Sequence, residues 1–208
     1  MQRSRFLTFL RGTATLLAAT TLPGCAIAFH NGNIDGVEPF PPASAVTCNT
    51  AKPVTVALDT RYQVVGMSTT DDVRQSAVDN IEAHAEDVFT RIPCFRWSAD
   101  PTNADLVVDL RIRDDANPRL GLAMLSGFTL MIVPARATDS YTLTAEIKKH
   151  GTVVDTVSHK EQFDTWLHLL AGFGYPFAGP KKVSDAMWED YFEEIAARAL
   201  LVDGRKVR

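Results

Sequence analysis

The sequence predicts an α+β fold: a single domain with a mostly antiparallel sheet, two amphipathic helices, and two apolar segments packed together or at an interface. Three observations predict it. Alternating apolar runs at 106–112 and 141–147 have the period of strands, and apolar stripes at 73–88 and 183–200 have the period of helices. Two uncharged stretches, 120–135 and 166–180, fit neither pattern cleanly. With 208 residues, 46% hydrophobic and 22% charged, the chain can bury one ordinary core, and no internal repeat is visible.

The elements follow in chain order. "VTVAL", Val54 to Leu58, alternates as a strand. In "TTDDVRQSAVDNIEAHAEDVFTRIP", Thr69 or Thr70 can cap a helix and Asp71 and Asp72 suit its first turn. Val73, Ala77, Ile81, Ala85 and Val88 make its buried stripe, and Pro93 stops it. "CFRWS" is a short strand and "ADLVVDLRIRDD" a longer one, with Leu106, Val108, Leu110 and Ile112 on one face. "SYTLTAEIKKHGTVVDTVSHKEQF" predicts a hairpin turning at His150-Gly151. Its Tyr141, Leu143, Ala145 and Ile147 share a face, while Thr142, Thr144, Glu146 and Lys148 face water. Val183, Met187, Tyr191, Ile195 and Leu200 form the stripe of a closing helix.

The N-terminus has a different character. "MQRSRFLTFLRG" is basic and "TATLLAATTL" is apolar for about ten residues, too short for a bilayer core that needs ~20 helical residues. This reads as a secretion signal over 1–24. It ends in Leu22-Pro23-Gly24-Cys25, which resembles the bacterial lipobox, with Pro23 in place of the usual small residue. The resemblance implies a lipidated, N-terminal Cys25. Ala26 after the cysteine implies outer-membrane sorting, facing the periplasm, by the rule of enteric-type bacteria. More than one acyl chain makes such an anchor stable.

Residues 25–53 are small, polar and proline-rich, predicting a flexible tether of ~25 Å reach; residues 54–208 are then the folded domain. Cys48 and Cys94 remain, an even pair that outside the cytoplasm reads as one disulfide. The alternative is two separate thiols. A bridge would be worth about 2–4 kcal/mol in a chain-entropy model. Net charge is −4, and removing residues 1–24, with Arg3, Arg5 and Arg11, leaves 18 basic against 25 acidic side chains, or −7. So acidic a chain lacks the basic footprint of a nucleic-acid binder.

No constellation selects a chemistry. His30, His84, His150, His159 and His168 show no ligand spacing, and with no Cys-x-x-Cys a metal site is not expected. Ser126 in "LSGF" is no nucleophile elbow, and "GFGYPFAG" lacks the Lys-Ser/Thr of a phosphate loop. Asp71-Asp72 and Asp114-Asp115 read as a helix start and a strand exit. Trp166 and His168 face the same way if the backbone there is extended. Neither catalytic residues nor a cofactor are expected.

The uncharged stretches are the main functional clue. As a helix, 120–135 would span about 24 Å, and Gly121, Gly127 and Pro134 interrupt it. Two arms turning at Ser126-Gly127 fit better, and Leu122, Leu125, Phe128, Leu130 and Ile132 become interface candidates with Trp166, Leu169, Phe173 and Phe177 of the second stretch. Mutual packing, a subunit contact and dipping into a membrane are all open. The lipobox, "TLMIVPARATDSYTLTAEI" and "WLHLLAGFGYPF" together resemble an uncharacterised class of small bacterial envelope lipoproteins. The order strand, helix, "ADLVVDL" is also similar to lipoproteins that form rings in polysaccharide or curli secretion. These resemblances imply a non-enzymatic envelope assembly or secretion accessory, anchored in the membrane by its lipid and contacting a homo-oligomeric or other envelope partner. The alternative is a binding module for a lipid or small hydrophobic ligand.

Overall fold

In the computed structural model the described residues are 26–33, 43, 46–47, 52–117, 132, 134–168, 170–171, 175–204 and 206–207. Among the site candidates, Cys25, Cys48, Leu122, Leu125, Phe128, Leu130, Leu169 and Phe173 lie outside them.

Strands β1 (Ala26–Asn33), β2 (Val46–Thr47) and β3 (Val54–Val65) precede helix α1 (Asp71–Arg91). Strands β4 (Phe95–Trp97), β5 (Leu106–Asn117), β6 (Ala135–Lys149) and β7 (Thr152–Leu167) follow. The short helix α2 (Tyr175–Ala178), the long α3 (Pro180–Val202) and β8 (Lys206–Val207) close the chain. Six strands form one sheet in the order β1-β7-β6-β5-β3-β4, and β2 pairs with β8 in a small separate ladder. The sheet is mostly antiparallel; β3 pairs parallel to β4 and to β5. This is the predicted α+β class.

The alternation along β5 sets the core. Leu106, Val108, Leu110 and Ile112 are all buried, and β6 and β3 place Leu143, Ala145 and Ile147, and Val56 and Leu58, on the same face. Both long helices cover that face. Thr70 caps α1 through its side chain, satisfying one of the amide groups that every helix start leaves open. The buried stripe is Ile81, Ala85, Val88 and Phe89. Val73, predicted to lie in it, is 57% exposed because the first turns of α1 run past the packed core. In α3 the buried surface is wider than a stripe, including Trp188, Phe192, Ala196, Ala197 and Ala199 beside the predicted Met187, Tyr191, Ile195 and Leu200. Pro180 opens α3, where its missing N–H costs nothing. Arg91 on α1 reaches Glu189 on α3 at 2.9 Å.

The hairpin turns where expected: His150 and Gly151 both have positive φ, 51° and 79°, as a two-residue hairpin turn matched to strand twist requires. Two elements differ from the sequence expectation. Residues 26–33 are not tether but an edge strand, whose backbone pairs with β7, Ala26 opposite Leu167 and His30 opposite Phe163. A partner so remote is invisible to local composition. Secondly, β5 does not exit at Asp114-Asp115 but runs on to Asn117, because β6 keeps pairing with it as far as Thr138.

Candidate functional site

The register brings several chain ends to one end of the sheet. Ala26 opens β1 opposite Leu167, which closes β7 opposite Ala135, the start of β6. β5 also ends there, its Asn117 opposite Thr138. Both uncharged stretches therefore leave or enter the sheet at the end where Cys25 joins it.

On the sheet face away from the helices, side chains at this end form rows across the strands. The first row is Ile27, Trp166 and Arg136, and the second is Phe29, Asp164 and Thr138. The third holds Gln162 and Ser140, and Asn31, at an irregularity in β1, donates to Asp164 at 3.1 Å. Beyond the first row a shallow, almost wholly apolar cleft of about 420 Å³ is lined by Ile27, Phe29, Pro134, Trp166, His168, Leu170 and Ala171. Trp166 and His168 do share this cleft, as an extended backbone predicts. The His168 Nε2–H donates to the Ile132 carbonyl at 3.1 Å, so the two apolar stretches touch. Several of their described residues stay exposed all the same: Ile132, Leu170 and Phe177 are 65%, 63% and 78% exposed, and Phe29 of neighbouring β1 is 49% exposed. Arg136 lies over the Trp166 ring, 5.5 Å from its centroid. It also makes two hydrogen bonds to Asp164, at 3.0 and 2.5 Å. With Thr138 and Asn31 it pulls the Asp164 carboxyl down to about 2.

A second hollow, about 260 Å³, lies on the helix side between the sheet, α1 and α3. Tyr62, Tyr141, Phe163 and Trp188 supply ring walls, and Asp139, Asn80 and Ser184 supply polar atoms. Behind it the Tyr62 hydroxyl donates to Asp114 at 2.6 Å, and the other Asp114 oxygen is buried without a hydrogen-bond partner among the described residues. Burial raises both the Asp114 and Asp139 carboxyls, and Asp114 raises Asp139 further. Asp114 follows Leu106, Val108, Leu110 and Ile112 at the same parity, a signal that a longer strand would have carried into the sequence analysis.

A third feature is a buried chain of charges. Glu161 on β7 accepts from the His30 ring at 2.6 Å and sits 3.3 Å from His159 Nδ1. His159 Nε2 lies 2.9 Å from Glu194 on α3, which accepts from Arg198 at 2.9 Å. His30 stacks on Phe163 and His159 meets the Tyr191 ring edge-on. The two glutamates push the His159 imidazole up to about 9 against the opposing effect of burial. Burial works to raise Glu161, but the two histidines outweigh it and hold it at about 2. This chain ties β1, β7 and α3 together. No local motif announces it, since its members come from three elements.

No protein-family model matches the chain, and no curated protein sequence matches it. Among solved structures, it is similar to a PelC dodecamer from Paraburkholderia phytofirmans, at 10% identity and a TM-score of 0.32, over 85% of this chain and 96% of that one. It is similar to a neuraminyllactose-binding hemagglutinin homolog from Helicobacter pylori, at 7% identity and a TM-score of 0.43, over 71% and 82%. A minor lipoprotein from Acinetobacter baumannii is similar at 11% identity and a TM-score of 0.34, over 72% and 93%.

The charge chain has a pH consequence. A histidine raised from 6.5 to about 9 in the fold stabilises it fully below pH 6.5 and loses that contribution as pH rises through 9. Chemical unfolding between pH 6.5 and 9 is expected to show a loss on the order of 2 kcal/mol. His159→Gln is expected to flatten that slope; an unchanged slope assigns the titration to other groups.

Proposed function

We propose that the protein is a lipid-anchored periplasmic lipoprotein that serves as a non-enzymatic accessory in envelope assembly or secretion, working by protein contact. One observation supports this reading: β1 begins at Ala26, so a lipid carried by the preceding Cys25 would hold the sheet directly. On this reading residues 1–24 are removed as a signal peptide and Cys25 bears the acyl chains. The domain faces the periplasm from the outer membrane. Contact with another copy or another envelope protein falls to surfaces turned away from the anchored end. Cys94 is buried at the end of α1 and pairs with Cys48 in that oxidising compartment.

Cys25→Ala is expected to abolish metabolic labelling by fatty acid and to leave the chain unprocessed or released. Labelling that persists unchanged removes the lipoprotein reading. Mass spectrometry after alkylation of the processed, denatured chain is expected to find no label on Cys48 or Cys94 without reductant and one on each after it; label before reduction removes the bridge.

The ring-walled hollow beneath α1 and α3 favours a second reading, a module that shelters a small hydrophobic ligand. Native mass spectra of the detergent-released protein would then carry an adduct that Ala77→Trp, at the lining, displaces. No adduct on the unaltered protein argues against it.

A further inference from the structure

The outer face of the sheet changes character with distance from Cys25. Nearest the cysteine come Ile27 and Trp166, with Leu170 and Pro134 around them and Arg136 beside Trp166 reaching back to Asp164; next come Phe29 beside Asp164 and Thr138; then Gln162 and Ser140. A polarity gradient running outward from one chain end matches a boundary between lipid and water. A protein partner would be free to bury an apolar patch in any orientation and would not require that order.

Chain length selects the occupant. Adjacent Cα atoms are about 3.8 Å apart, and a strand rises about 3.3 Å per residue. Ile27 therefore lies within roughly 7 Å of a lipidated Cys25 and Phe29 within roughly 14 Å. Each headgroup layer is about 5–7 Å thick, and interfacial apolar groups sink about 5–10 Å into the headgroup and acyl boundary. Any second molecule would have to enter between the patch and the bilayer to which the preceding residue is fastened.

The chemistry of the rim agrees. Tryptophan concentrates at membrane–water interfaces, where its ring is apolar and its N–H stays wet. Arg136 over Trp166 keeps its guanidinium on Asp164, on the polar side, while its stem covers apolar surface. Among the described residues no helix is long and apolar enough to cross a membrane.

We propose that the Ile27–Phe29–Trp166–Leu170 patch is a membrane-contact face, seated in the headgroup region of the leaflet that holds Cys25. It rests on the lipoprotein reading above and gives the domain a fixed orientation in place of a swinging tether.

The test uses the full processed chain, purified from membranes and reconstituted in phosphatidylethanolamine–phosphatidylglycerol vesicles with and without brominated acyl chains. The chain has three tryptophans. Trp188 is buried, and Trp97 packs against Phe89 inside the fold, so both serve as internal controls. Bromine is expected to quench part of the emission, and Trp166→Phe is expected to abolish that quenchable part. Equal quenching in the two proteins, or none in either, overturns the proposal. The acyl mass on Cys25 is read from the same sample. An acylated but unquenched protein overturns the contact face alone. A quenched protein without acyl mass overturns the anchor reading and leaves the face standing. Failure of both readouts overturns both.

Discussion

The structure depends on one constraint: the sheet has a single apolar face, and that face has to be covered. Leu106, Val108, Leu110 and Ile112 present it in the middle strand, and full burial of each such side chain contributes roughly 1.5–3 kcal/mol. Because strand side chains alternate, a one-residue slip of β5 against β6 would turn this row toward solvent and bring the charged outer row under the helices. Register, helix placement and the polar outer surface are therefore one decision. α3 is buried around more of its circumference than α1 because, besides the sheet and the other long helix, it meets α2, β2 and β8.

That constraint explains what the amino-acid sequence reveals and what it conceals. Period-2 and period-3.6 patterns report which face is buried, so β3, α1, β5, the β6–β7 hairpin and α3 are legible from residues alone. The His150-Gly151 turn is legible for a stereochemical reason, since glycine accepts positive φ at little cost. β1 is concealed because a small-residue edge strand is made by its partner rather than by its own propensity. Asp114 is concealed for the opposite reason. A carboxyl at a core-facing position looks like the end of a strand, and only its pairing to Tyr141 and the Tyr62 hydroxyl show otherwise. The site candidates divide in the same way. Ile132, Trp166 and Phe177 are legible as apolar, but their exposure depends on which sheet end they occupy.

The buried charges show how polar groups are placed in such a core. The chain from His30 through Glu161, His159 and Glu194 to Arg198 alternates basic and acidic side chains, so each carboxylate lies between two basic neighbours. Losing one member would strand the next as an uncompensated buried charge, which is why such chains cost more to break than they add when intact. Asp114 and Asp139 lack that alternation, and burial raises both carboxyls. One group on the helix-side face is thus electrostatically settled, and its neighbour in the same cross-strand row through Tyr141 is pushed toward its neutral form.

The position of β1 also bears on the order in which the fold can form. Among the described residues it is the first strand, yet its only strand neighbour, β7, comes after every other strand of the large sheet. Contacts so distant in sequence carry a large loop-closure cost and form late. A chain emerging N-terminus first would carry β1 as an unsatisfied edge, with Phe29 outward, until the hairpin was complete. The strand that follows Cys25 would appear before its partner and be the last to settle.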